Sequence, residues 1–189
     1  GGSDSLAGKR VAGLGAGKVA WCLGEHLHKE GARLLVSDID PEKVKRFVAE
    51  YGAEAVAPDA IYDATADVYA PCALGATLDD QTIPRITAEI ICGGANNQLA
   101  EPRHAEAGEK KGIFYAPDYV ANGGGVINIY GELQGWTVQQ AHEHAEGIYA
   151  TTLRVAELSR REKIPTALAA DRLAEERIRA VAGLRRMVR

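Results

Sequence analysis

Short apolar runs and amphipathic stretches alternate along the first two thirds of the chain. Lys9 to Leu14 reads as a strand, followed by a helix from Lys18 to Lys29 with Leu23 and Leu27 on its apolar side and Gly31 closing it. Leu34 to Ser37 reads as the second strand. Pro41 to Tyr51 is the next helix, with Val44, Phe47 and Val48 on one face and Gly52 after it. Further short strands are expected at Ala53–Ala57, Asp67–Ala70, Glu89–Cys92 and Gly112–Ala116, and helical segments near Thr82–Ile86 and from Glu101 to Lys111. After residue 121 the strand pattern stops. Val126–Leu133 and Val138–Arg160 read as helices, and Pro165 opens a last one ending near Val188. Strands alternating with helices imply an α/β fold with a doubly wound, mainly parallel sheet and right-handed crossovers. The expected division is a sheet domain over residues 1–137 and C-terminal helices over 138–189 packing on it.

The junction of the first strand and helix carries chemistry. Gly15-Ala16-Gly17-Lys18-Val19-Ala20 follows the Gly-x-Gly-x-x-Gly/Ala pattern in a strand–turn–helix setting. Gly15 permits the sharp turn, Gly17 keeps a Cβ away from an approaching pyrophosphate, and Ala20 lets the helix sit close on the strand. Free N–H groups and the dipole at the helix start then suit the phosphates. The second strand ends at Asp38, 23 positions after Gly15, where an acid would receive ribose hydroxyls and repel an additional phosphate. This favours NAD over NADP, on a Rossmann-type sheet of six strands. A glycine turn of no consequence, and Asp38 as a turn residue beside the capping segment Asp40-Pro41-Glu42, are the plainer alternatives.

Ligands of such sheets lie beyond the carboxyl ends of the strands. Three more loops converge there: Pro71-Cys72-Ala73-Leu74-Gly75, Gly93-Gly94-Ala95-Asn96-Asn97-Gln98, and Pro117-Asp118-Tyr119 continuing to Asn122-Gly123-Gly124-Gly125. Asparagine offers both donor and acceptor, which suits a nicotinamide carboxamide or a small polar substrate. Taken singly, Asn96 and Asn122 can equally be helix caps.

Composition narrows the partners. The 189 residues are 46% hydrophobic, enough for a real core, and the formal net charge of −4 argues against a nucleic-acid or lipid surface. Cys22, Cys72 and Cys92 sit in apolar runs and read as reduced thiols of a cytoplasmic protein. No apolar stretch is long enough to cross a bilayer. The pairs His26/His28 and His142/His144 are spaced two apart, so on a helix they do not converge on a metal, and none is expected. The chain opens Gly1-Gly2-Ser3-Asp4-Ser5 without an initiator methionine, which reads as a piece of a longer protein.

The loops resemble one family. Gly2-Ser3-Asp4-Ser5-Leu6, Gly15 through Ala20, Ala70-Pro71-Cys72-Ala73-Leu74-Gly75, Ala95-Asn96-Asn97-Gln98-Leu99, Ala116-Pro117-Asp118-Tyr119-Val120, Gly124-Gly125-Val126-Ile127-Asn128 and Ala169-Ala170-Asp171-Arg172-Leu173-Ala174-Glu175-Glu176 are similar to branched-chain members of the glutamate/leucine/phenylalanine/valine dehydrogenases, over their cofactor-binding domain only. Departures are Lys18 where asparagine is common, Gly94 for serine and Gly123 for alanine. The resemblance implies NAD-dependent oxidative deamination of an aliphatic L-amino acid to a 2-oxo acid and ammonia, with hydride passing to the nicotinamide. It implies that Gly15 through Ala20 hold the pyrophosphate and that Asp38, with Ile39 beside it, meets the adenosine ribose. Cys72 and Ala73 then lie along the nicotinamide side, Asn96 and Asn122 near the reacting centre, and Val126 and Ile129 in the aliphatic pocket, core packing being the alternative for those two.

That family places its acid/base lysine, its substrate-carboxylate lysine and its catalytic aspartate in an N-terminal domain, and no stretch of this sequence matches those motifs. No catalytic residue is therefore assigned, since proton removal from an amine needs a positioned base. The expectation is a cofactor domain separated from its catalytic domain and inactive alone. Its apolar surface would be left exposed and prone to homo-oligomerise. Two other readings stay open: a different NAD-linked oxidoreductase on the same fold, and a non-catalytic NAD-binding or assembly module.

Overall fold

The computed structural model describes residues 5–187, with side chains through residue 183. The Gly2-Ser3-Asp4 part of the first family motif and the expected helix end at Val188 lie outside the described residues. Two compact units are present, one running to Asn122 and one starting at Gly123.

The first unit is built on a six-stranded, all-parallel sheet of β1 (Arg10–Leu14), β2 (Arg33–Ser37), β3 (Glu54–Ala55), β4 (Val68–Pro71), β5 (Ile90–Ile91) and β6 (Phe114–Tyr115), in the order β3-β2-β1-β4-β5-β6. The order reverses at β1, so the sheet is of the doubly wound Rossmann type. Alternation along the strands separates two cores. Val11, Leu34, Val36 and Ala70 pack with Phe47 and Tyr51 under α1 (Lys18–Lys29) and α2 (Pro41–Tyr51). Ala12, Leu35, Tyr69, Ile91 and Tyr115 face Ile61, Leu78 and Ile86 on the other side. At Gly24 a Cβ would fall 2.5 Å from the Phe47 ring, so the missing side chain is what lets α1 and α2 approach so closely.

Expectation and structure differ in places with clear causes. The segment near Thr82–Ile86 is a run of turns and not a helix. Pro84 offers no N–H and disfavours the helical conformation in the residue before it. Side chains cap the segment at both ends. Asp79 Oδ1 accepts from the backbone N of Gln81 and of Thr82, each at 2.8 Å. Lys111 Nζ donates to the carbonyls of Ile83, Pro84 and Ile86 at 3.0, 2.6 and 2.5 Å. Lys111, the last residue of the helix expected from Glu101, is thus a structural clamp. The helix expected from Glu101 is α3 (Arg103–Lys110), shortened by Pro102 at its start. Two short elements were not foreseen: a 3-10 turn at Ala60–Asp63 and α4 (Asp118–Ala121). Cys22 is exposed rather than embedded, while Cys72 and Cys92 are partly buried free thiols.

The second unit holds α5 (Gly124–Gln134), α6 (Val138–Glu162) and α7 (Thr166–Met187). Thr137 and Gln140 form a capping box that starts α6. Lys163, in the left-handed region at φ 53°, turns the chain toward α7, and Val155, Ala156, Leu158, Ala169 and Ala170 make the core. Among the described residues no helix is long and apolar enough to cross a membrane.

Replacing Lys111 with Met strips three carbonyls of their charged donor and should lower stability by about 1 kcal/mol, a melting-point drop of roughly 3 °C in a thermal scan. The N–H groups of Thr82 and Gln81 hold the Asp79 carboxyl below the usual carboxylate range. A lowered folded-state value stabilises above the unfolded value and is lost as the pH falls through the folded one. Asp79→Ala should therefore be less stable than the parent at pH 7, and denaturant titrations should find the gap narrowing once the pH falls below about 4.

Candidate cofactor site

The turn out of β1 is fixed by backbone crowding. Gly15 sits at φ +111°, and a Cβ there would lie 3.0 Å from the Ala73 nitrogen and the Cys72 carbonyl, so both conformation and space require glycine. Its N–H donates to Ser37 O at 2.6 Å, tying the turn to the end of β2. Gly17 differs: a Cβ there would meet nothing within 4 Å. Packing does not demand that glycine, and its missing side chain keeps open the space in front of the helix. Gly17 is also the residue that starts α1, with no side-chain cap and no acid in the first turn, so the first N–H groups of the helix face outward. Lys18 and Val19 are exposed, while Ala20 is buried against the sheet. An open glycine cradle at an uncapped helix start fits the diphosphate of a dinucleotide.

Asp38 stands at the same rim. Its Oδ2 accepts from Ala16 N at 2.7 Å and its Oδ1 from Asp40 N at 2.9 Å. Asp40, and not Asp38, caps α2 by accepting from Glu42 N and Lys43 N. Ile39, between the two, is 90% exposed.

The loops after β4, β5 and β6 form one hydrogen-bonded assembly beside the turn. Cys72 N donates to Leu14 O at 2.7 Å, and Cys72 Sγ accepts from Gly94 N at 3.5 Å. Burial pushes the Cys72 thiol up, as it does that of Cys92, so neither is an activated nucleophile. Ala73 is exposed next to it. Asn122 Nδ2 donates to Asn96 Oδ1 at 2.7 Å and to Ala95 O at 3.2 Å. The pairing leaves the Asn96 Nδ2 donors and the Asn122 Oδ1 acceptor without a partner among the described residues. Asp118 accepts from Asn97 N at 2.7 Å and from the Tyr115 hydroxyl at 2.9 Å, bracing the same loop from β6. Gln98 is fully buried inside it, donating to Gly93 O and Ala95 O. Sequence reasoning named both loops but gave Asp118 and Gln98 no part, because a polar side chain's inward turn has no signature along the chain.

Gly15 through Ala20, Asp38, Ile39, Cys72, Ala73, Asn96 and Asn122 thus gather at the carboxyl edge of the first unit's sheet. Val126 and Ile129 belong to the second unit. There they share one exposed face of α5 with Tyr130 and Leu133, so they are not core residues of that unit. His144 stacks on Trp136 at 4.0 Å between ring centroids. Among the described residues no cluster of histidine, cysteine or carboxylate side chains could hold a metal ion.

Comparison with known proteins agrees with this architecture. The family model described as Glutamate/Leucine/Phenylalanine/Valine dehydrogenase matches residues 36–182. A leucine dehydrogenase of Bacillus subtilis is 55% identical over 94% of this chain and 49% of its own length. An L-tryptophan dehydrogenase of Nostoc punctiforme is 45% identical over 93% of this chain and 50% of its own. The crystal structure of the L-tryptophan dehydrogenase from Nostoc punctiforme superimposes with a TM-score of 0.92, at 44% identity, over 94% of this chain and 54% of that one. The chain spans about half the length of the curated relatives it matches. With its parallel sheet, its glycine cradle and this similarity along nearly its whole length, the chain belongs to the glutamate/leucine/phenylalanine/valine dehydrogenase family.

Proposed function

We propose that this chain is the NAD-binding part of an amino-acid dehydrogenase that oxidatively deaminates a branched-chain, leucine-like L-amino acid to its 2-oxo acid and ammonia. The observation that carries the reading is the cradle at Gly17, an opening that no neighbouring atom of the described chain fills, at a helix start without a side-chain cap. Family membership implies a nicotinamide cofactor. The finer preference for NAD rests on Asp38. Each of its oxygens accepts one backbone N–H and retains a second lone pair for a ribose hydroxyl, while its charge opposes an additional phosphate.

In this reading the N–H groups from Gly15 to Ala20 hold the diphosphate, and Ala73 and Cys72 border the ring end. When bound, the cofactor supplies the hydride acceptor. Asn96 and Asn122 offer amide donors and an acceptor that orient the carboxamide or the substrate. Val126 and Ile129, exposed and three residues apart, form part of the pocket for the aliphatic side chain. The leucine-like preference draws on the 55% identity to a leucine dehydrogenase against 45% to an L-tryptophan dehydrogenase. The cofactor-rim segments carry a single lysine, Lys18 in the phosphate turn; the family resemblance assigns the base that takes the amine proton to an N-terminal catalytic domain. The free thiols and the exposed apolar face of α5 favour a cytoplasmic homo-oligomer as the parent protein.

Calorimetric titration should find NAD binding with NADP weaker. Asp38→Ala should cost NAD about tenfold in affinity and narrow the gap to NADP. Equal binding of both by the parent chain would overturn the specificity. The chain alone should reduce no NAD with L-leucine, whereas the two-domain protein should; turnover by the isolated chain would refute the assignment of the base elsewhere.

A further inference from the structure

The loop after β5 is folded around the side chain of Gln98. Gln98 is fully buried, and its Nε2 donates at 2.9 Å to both Gly93 O and Ala95 O. Ala95 O is also the carbonyl that accepts from Asn122 Nδ2, the group that in turn holds Asn96 Oδ1. One carbonyl therefore joins an internal amide to the exposed Asn96 and half-buried Asn122 amides of the rim. The backbone around it is fixed on every side. Ala95 N donates to Pro71 O, Ala76 N to Asn97 O, and Leu78 N to Gln98 O, which binds the loop to the end of β4. Asp118 binds it to the end of β6 through Asn97 N.

The chemistry demanded of residue 98 is narrow. Two carbonyl oxygens need two N–H donors from one side chain, and a carboxylate of the same shape would set its charge against them. The Gln98 Oε1 is buried and has no hydrogen-bond partner among the described residues, so the loop carries an unpaired acceptor beside those two donors. A residue selected for packing alone would be apolar here.

We infer that Gln98 is a positioning residue, which fixes the Ala95 carbonyl and through it the Asn96–Asn122 amide pair that meets the nicotinamide end of the cofactor. The inference rests on the cofactor reading above. It separates the two halves of the ligand, since the glycine turn and Asp38 hold the adenosine diphosphate portion without using Gln98.

The test is calorimetric titration of this chain and its Gln98→Met variant with NAD and with ADP-ribose, which lacks the nicotinamide. Methionine keeps the volume and removes both donors. Loss of NAD affinity by about tenfold with ADP-ribose within about twofold is expected. An equal loss for both ligands, or no loss for NAD, overturns the positioning role and leaves the cofactor site standing. Failure of the parent chain to bind either ligand overturns the cofactor reading and this inference together. Should the variant not fold, the side-chain amide resonance of Gln98 in the ¹⁵N–¹H spectrum of the parent chain reads the same coupling. It should shift on adding NAD and not on adding ADP-ribose, and a resonance unmoved by NAD refutes the assignment.

Discussion

The first unit depends on how closely the backbone at Gly15 passes its neighbours. The turn is pressed against the chain after β4 on one side and bonded to Ser37 O on the other, with Asp38 taking the next N–H at Ala16. Those contacts join β1, β2 and β4, the three strands around which the sheet order reverses. They also set the direction in which α1 leaves the sheet. Side-chain bulk at Gly15 would separate the strands that form the rim, and the loops gathered there would lose their common edge.

Asp38 serves the architecture of the turn and, in the function proposed above, recognition as well. A carboxylate that accepts backbone N–H groups is already turned toward the glycine turn before any ligand arrives, so little ordering is left to be done on binding. The Asn96–Asn122 pair has the same character: the Asn122 Nδ2 group is committed to Asn96 Oδ1 and Ala95 O, while Asn96 Nδ2 and Asn122 Oδ1 have no partner among the described residues. The rim is in this sense arranged in advance by hydrogen bonds within the protein.

Much of this was legible in the residues. The apolar runs and the amphipathic spacing located β1, α1, β2 and α2 almost to the residue, the two helices because they are bounded by residues with firm backbone preferences: Gly17 before α1, and Asp40, Pro41 and Gly52 around α2. β3, β5 and β6 are shorter than the expected runs, and β4 is shifted by one residue, since pairing with neighbours, and not hydrophobicity, decides where a ladder ends. The turn segment before β5 was misjudged as helical. The weight of Pro84, and the long-range clamp from Lys111, outweighed a local apolar spacing. The candidate residues of the glycine turn and the rim loops could be named from the sequence by their chemistry, and they lie together at one edge of the sheet. The internal supports Gln98 and Asp118 could not be so named, because their partners are backbone atoms brought near only by folding. The α5 residues Val126 and Ile129 were placed on one helix face by spacing, and their exposure became visible only in three dimensions.

The sheet's outermost strands have a further consequence. β3 and β6 are each two residues long, so each edge presents only a few backbone groups to a neighbouring molecule. Strand-by-strand extension of the sheet between copies, the usual route from an open parallel sheet to fibrils, finds almost no template here. Any self-assembly of this fold is directed instead to side-chain surfaces, where shape and register can be specific.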